Sequence, residues 1–237
     1  RQEYEVYQII KDLKISDTIR YFDPESGCKL TEYLENARCC DGENSEDVKK
    51  CMKVLRDFHK KDLTAGHTFD IFERMEFYER LWNGEPSCYR DYLKTKDKVY
   101  ELKAFIDAQP KNWTLCHIDA NQDNFLIQGE GDNEKITLID WEYAGMQDIH
   151  VDIAMFAIYA MYDRPKVEEL IDAYFEDQCP APVRIKIYCY IAICGFLWSN
   201  WCEYKRICGV EFGEYSLSQY RYAKDYYRIV QEEQNIK

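Results

Sequence analysis

His117-Ile-Asp119-Ala-Asn121-Gln-Asp-Asn124 and, after a turn, Leu138-Ile-Asp140-Trp-Glu142-Tyr143 say more about this chain than the rest of its 237 residues. The first stretch sets an Asn five positions after an Asp, and the second ends an apolar run in another Asp. Phosphoryl transfer needs a carboxylate that orients the attacking hydroxyl and accepts its proton, and oxygen ligands for Mg²⁺ on the phosphates. A loop Asp, an Asn where that loop enters a strand, and an Asp at the end of the next strand meet both needs. Each half alone arises by chance, because strands often end in Asp. Together, 21 positions apart from Asp119 to Asp140, they form a specific signal. Asp119 is the candidate base, with Asn124 and Asp140 as candidate metal ligands. His117 joins Asp119 as a candidate catalytic residue, read as a loop scaffold more than a proton carrier. Asn121 fits a loop-forming role and a substrate contact equally.

Working outward, Lys135-Ile-Thr-Leu-Ile139 is the clearest strand, with Trp113 to Ile118 and Phe125 to Gln128 as shorter extended pieces. Upstream, the spacing of Val6, Ile9, Ile10 and Leu13 predicts a helix over 3–13. Thr18 to Phe22 and Lys29 to Leu34 flank a Pro/Gly turn and predict a hairpin. Residues 35–46 read as a polar loop and lobe boundary. Ser45 is the expected cap of a helix to about Lys60, followed by helices over 70–81 and 92–108. Further helices are predicted over 149–161, 167–175, 183–207 and 218–234.

Composition narrows the functional classes. A net charge of −13 lacks the basic footprint that nucleic acid requires, so no nucleic-acid partner is expected. The eleven cysteines are odd in number, several sit in apolar helical stretches, and none forms a C-x-x-C pair. They predict reduced thiols in a cytoplasmic protein. The longest apolar run, Ile187 to Cys202, is interrupted by Gly195, Ser199 and Asn200 and is short of the roughly 20 residues a bilayer needs, so no membrane partner is expected. The composition leaves oligomeric state open.

With these residues in view, the chain resembles the choline/ethanolamine kinase and aminoglycoside phosphotransferase superfamily. Ile139-Asp-Trp-Glu-Tyr-Ala144 with Asp148 and Asp152-Ile-Ala154 is similar to bacterial choline kinases of the LicA type. The resemblance implies an α+β, protein-kinase-like fold: a remnant of the β-containing nucleotide-binding lobe and hinge over 1–36, and a mostly helical lobe over 37–237. It implies ATP and Mg²⁺ as cofactors and a small amino alcohol, choline first, as substrate. An ethanolamine kinase, an aminoglycoside-type phosphotransferase and a catalytically silent choline-binding protein are the alternatives.

By the same resemblance, Glu3 (with Glu5 as the alternative) stands where the family pairs a phosphate-binding Lys. Glu32, Tyr33 and Leu34 fall at the adenine hinge, and Asp152 is a structural Asp. The family's glycine-rich loop and its Lys would precede Arg1, so a further upstream segment is expected. Trp198 and Trp201, three apart on one helical face, resemble the aromatic cage of choline kinases, with Tyr143, Tyr159 and Tyr215 (or Tyr220) as further members.

Overall fold

A computed structural model describes residues 1–235, which divide into two compact units. The first comprises Arg1–Phe69 and Asn112–Gln178, and the second Asp70–Lys111 and the chain from Cys179 onward.

The first unit opens with α1 (Gln2–Ile10), which buries Val6, Tyr7 and Ile10. It stops short of Leu13, because Leu13 N–H closes a turn on the Ile10 carbonyl at 2.9 Å and Lys14 is left-handed at φ 55°. The predicted hairpin follows as β1 (Ile19–Phe22) and β2 (Lys29–Thr31), antiparallel. Gly27, at φ +73°, supplies the left-handed turn residue. The expected polar loop contains a strand, β3 (Arg38–Cys39). Two residues are too few to show a period in sequence. Arg38 anchors this segment through both oxygens of Asp47, which holds the Asp47 carboxyl below its usual range.

α2 (Ser45–His59) begins where expected, but its cap is Asn44. Asn44 Oδ1 accepts from Glu46 N at 3.0 Å and Asp47 N at 3.4 Å, and Ser45 is already helical. The α2 face carrying Cys51, Met52, Leu55 and Phe58 is buried. Each such side chain contributes about 1.5–3 kcal/mol.

β4 (Trp113–Cys116), β5 (Phe125–Gln128) and β6 (Lys135–Leu138) match the sequence expectations. The unexpected partner is β7 (Gly145–Asp148), antiparallel to β4. Its sequence, Gly-Met-Gln-Asp, has little strand propensity, and pairing imposes its conformation. β3, β5 and β6 form one three-stranded sheet, and β4 and β7 a separate pair. Gly129 makes the β5–β6 turn at φ +88°, where a Cβ would lie 2.7 Å from the Asn133 carbonyl. α5 (His150–Tyr159) is buried on all sides from His150 to Ile158, and α6 (Arg164–Phe175) is capped by Asp163.

The second unit is helical: α3 (Ile71–Leu81), α4 (Tyr92–Asp107), α7 (Ala181–Ile207) and α8 (Glu214–Asn235). α7 packs against α3, α4 and α8. It matches the helix predicted over 183–207, and Gly195, Ser199 and Asn200, which interrupt its apolar run, lie inside the helix and are covered. At 27 residues it is long and apolar enough to cross a bilayer, yet 78% of its most apolar window is buried within the protein. That burial is what a core helix shows. Gly195 permits the close approach of α8, because a Cβ there would lie 2.6 Å from Tyr222 Cβ and 2.8 Å from the Gln219 carbonyl. All eleven cysteines are free thiols, six of them buried.

Candidate active site

The loop from His117 to Asn124 leaves β4 and enters β5. Asp152, fully buried on α5, holds its start: Oδ2 accepts His117 N–H at 2.9 Å, and Oδ1 accepts Ile118 N–H at 2.7 Å. Ile118 is thereby fixed at φ +70°, a left-handed conformation costly for a β-branched residue. The carboxylate also receives His59 Nε2 at 2.9 Å, and His59 Nδ1 meets the Tyr174 hydroxyl at 2.8 Å. Asp152 therefore has the structural place that the resemblance implied. His59 and Tyr174 were invisible in the sequence, because neither belongs to a local pattern.

His117 is buried, and its Nε2–H donates to the Ile139 carbonyl at 2.9 Å, tying the loop to the strand that ends in Asp140. Its ring meets Trp141 edge-on, with centroids 4.5 Å apart. Burial lowers the His117 pKa, with the nearby charges of Asp152 and Asp119 opposing, so the imidazole is neutral at neutral pH. These contacts are those of a scaffold.

Asn124 links the two ends of the loop. Its Nδ2 donates to the Asp119 carbonyl at 2.8 Å and to Asp119 Oδ2 at 3.0 Å. Asn121 Oδ1 accepts from Asp123 N at 2.9 Å and Asn124 N at 3.3 Å, a loop-forming use. Asp119 Oδ1 is buried with no hydrogen-bond partner. Burial raises the Asp119 pKa, while His117, Asn121, Tyr159 and Asn124 pull the other way. Tyr159 thus lies beside the candidate base. Tyr143, half-buried, meets Phe69 edge-on at 6.2 Å.

Asp140 is exposed and, like Ile118, left-handed, at φ +65°. Glu142, two residues on, was passed over in sequence. Its pKa is raised by partial desolvation and then by Asp140, Glu3 and Asp119, which places these carboxylates in one field. Such a field favours a cation. With Asn124 Nδ2 turned to Asp119, its Oδ1 is the atom left to offer. That oxygen and the Asp140 carboxylate are oxygen donors of the kind magnesium takes.

Glu3 binds Lys29 on β2, and Lys29 Nζ also lies 3.4 Å from the Tyr7 hydroxyl and 4.9 Å from its ring centroid. Glu5 instead accepts Gly66 N–H at 2.7 Å, so Glu3 is the member of the pair that faces a lysine. Sequence reasoning missed Lys29 because only the hairpin brings it to α1. At the expected hinge, Glu32 is ion-paired to Arg20, Tyr33 is 86% exposed and Leu34 is half-buried.

In the second unit, Trp198 and Trp201 meet edge-on with centroids 5.7 Å apart. Phe212, not anticipated, sits 4.9 Å from Trp201 and 6.3 Å from Tyr215, joining these rings into one aromatic group. Lys205, one turn after Trp201, holds its Nζ 5.3 Å from the Trp201 ring centroid. Tyr220 stacks on Tyr89 at 3.8 Å and bonds Asp91 and Thr95, which places it in a different set of contacts.

The phosphotransferase enzyme family matches residues 1–188, and the chain belongs to that family. Its architecture is that of the protein-kinase-like, choline kinase group of folds. Among curated proteins it is similar to Protein LicA of Haemophilus influenzae, 25% identical over 210 residues and 83% of this chain. It spans 60% of the length of one such LicA and 76% of another, from strain KW20/Rd. Among solved structures it is similar to choline kinase LicA from Streptococcus pneumoniae, with TM-score 0.82 and 28% identity over 96% of this chain and 80% of that one. A LicA complex with AMP matches at TM-score 0.82 and 26% identity, over 97% of this chain and 79% of that chain.

Proposed function

We propose that the protein transfers the γ-phosphoryl group of ATP to the hydroxyl of a small amino alcohol, choline first. The observation that carries this reading is the arrangement at the loop. Asp119, Asn124 and Asp140 stand on a backbone braced by Asp152, with one Asp119 oxygen buried and unpaired. The similarity to LicA choline kinases supports the choice of substrate.

Asp119 orients the substrate hydroxyl and accepts its proton at the carboxylate. Its raised pKa makes it a better base than an exposed aspartate. Asn124 and Asp140 are the residues that would hold magnesium, with Glu142 beside them. When bound, magnesium neutralises charge on the phosphate oxygens. Glu3 orients Lys29, whose ammonium faces the same acidic field. Glu32, Tyr33 and Leu34 contact adenine, and the 1–36 segment belongs to the nucleotide-binding lobe. Tyr143 and Tyr159 contact the substrate.

A quaternary ammonium offers no hydrogen-bond donor, so ring faces have to recognise it, at about 0.5–2 kcal/mol each. Trp198, Trp201 and Tyr215 take that role, with Phe212 supporting them. The free thiols fit a cytoplasmic protein. An ADP-release assay over choline, ethanolamine and aminoglycosides tests the reading. Choline is expected to give the highest kcat/KM. A preference for ethanolamine or an aminoglycoside overturns the substrate, and nucleotide binding without turnover on any of them overturns the enzyme.

A further inference from the structure

His59, Cys116 and Asp152 come from three different elements of the first unit, α2, β4 and α5, and meet behind the catalytic loop. Each offers one ligand atom, and these atoms lie within 4.8 Å of one another, all buried. We propose that this trio is an inhibitory site for one thiophilic divalent cation of the zinc class, acting on the loop through Asp152.

The donor set argues for the class of ion. One nitrogen, one sulfur and one carboxylate oxygen suit zinc and its neighbours, and do not suit magnesium, which takes oxygen. In a tetrahedral site with bonds of about 2.0–2.3 Å, ligand atoms stand roughly 3.3–3.7 Å apart. His59 Nε2 and Asp152 Oδ2, now 2.9 Å apart, would open slightly, and the Cys116 sulfur would close in. The surroundings are those of a metal site. The Tyr174 hydroxyl bonds the remaining nitrogen of His59, and two backbone amides orient Asp152. A cavity of about 580 Å³, with Asp62, Asn112, Thr114, Tyr174 and Glu176 in its walls, opens onto His59 and gives a way in.

Protons balance as follows. The Cys116 thiol loses its proton to solvent and binds as thiolate. The proton on His59 Nε2 leaves as Nδ1 gains one and donates to the Tyr174 oxygen. One proton is released per ion, and water fills the fourth position. Burial holds the Cys116 thiol well above its ordinary range, which is why only a cation with strong sulfur affinity would displace that proton. Asp152 Oδ2, which accepts both His117 N–H and His59 Nε2, would then turn toward the ion, and the loop would lose part of its brace.

The test has two arms. In magnesium-free buffer, Co²⁺ titrated into the whole chain is expected to give thiolate-to-cobalt charge-transfer absorption that saturates at one equivalent. Cys116→Ala should abolish that band, with Cys116→Ser as the second variant should the first fail to fold. In excess magnesium, zinc is expected to inhibit the parent, and Cys116→Ala to raise the half-inhibiting concentration about tenfold or more. No saturating band, a band that survives in both variants, or cobalt binding without zinc inhibition would each overturn the proposal. The inhibition arm rests on the phosphotransferase reading, whereas the cobalt arm does not. A protein that binds cobalt through Cys116 but phosphorylates nothing would fail the activity and leave the site standing.

Discussion

Replacing Asp152 by Asn keeps the size of a fully buried side chain and removes its charge. Three donors now converge on that carboxylate: His117 N–H at 2.9 Å, Ile118 N–H at 2.7 Å and His59 Nε2 at 2.9 Å. Asparagine offers one oxygen, and its amide N–H₂ would face at least one of those donors. A hydrogen bond to a charged group is worth roughly 1.5–3 kcal/mol, and a buried donor left unpaired costs about 1–3 kcal/mol. A loss of about 3–5 kcal/mol is therefore expected, a large part of a typical domain's stability. For a chain of this size that lowers Tm by roughly 6–20 °C. The effect on turnover is separate. Without its brace, the left-handed Ile118 can relax, releasing strain of about 1–3 kcal/mol and reducing kcat roughly 5- to 160-fold. Nucleotide affinity should change little, since Asp152 touches only the back of the loop. Thermal melts by circular dichroism, steady-state ADP release and nucleotide titration measure the three quantities. An Asp152→Asn protein that melts and turns over like the parent would refute the idea that this carboxylate sets the loop.

Asp119→Ala should lower kcat by about 10²–10⁴-fold with nucleotide affinity unchanged, and retention of a tenth of parent turnover would remove Asp119 from the role of base. Asn124→Ala and Asp140→Ala should each raise the magnesium concentration needed for half-maximal rate, Asp140→Ala more because it removes a charge. Unchanged magnesium dependence in both would place the ion elsewhere. Trp201→Ala should raise KM for choline roughly 5- to 30-fold and kcat much less, with a smaller rise for ethanolamine. Trp198→Ala is the poorer probe, because Trp198 is 3% exposed and its loss also hollows the core.

The loop of Asp119 and Asn124 was legible as a candidate site because phosphoryl-transfer chemistry would fix residue types at fixed spacings, and the β5–β6 hairpin because its apolar residues and turn glycine announce it. β3 and β7 were not, since a two-residue strand has no period and Gly-Met-Gln-Asp is extended only through pairing with β4. The cap of α2 was misplaced by one residue because Asn44 and Ser45 are both good caps. Backbone geometry, absent from sequence, made the choice. His59 and Lys29 belong to the site only through contacts far along the chain: His59 to Asp152, and Lys29 to Glu3. No local pattern could reveal them.

Lys205 is the cation among these aromatic rings. Its ammonium lies 5.3 Å from the Trp201 ring centroid and 5.9 Å from that of Tyr204, so a cation is already docked on this face. A tethered group acts at an effective concentration in the millimolar range or above, and any ligand seeking the same face competes with it. On the cage reading, a primary ammonium trades like for like and gains nothing, whereas a trimethylated head adds apolar contact that the lysine lacks. On that reading the helix carries its own rival for the ring, which an incoming amine would have to displace.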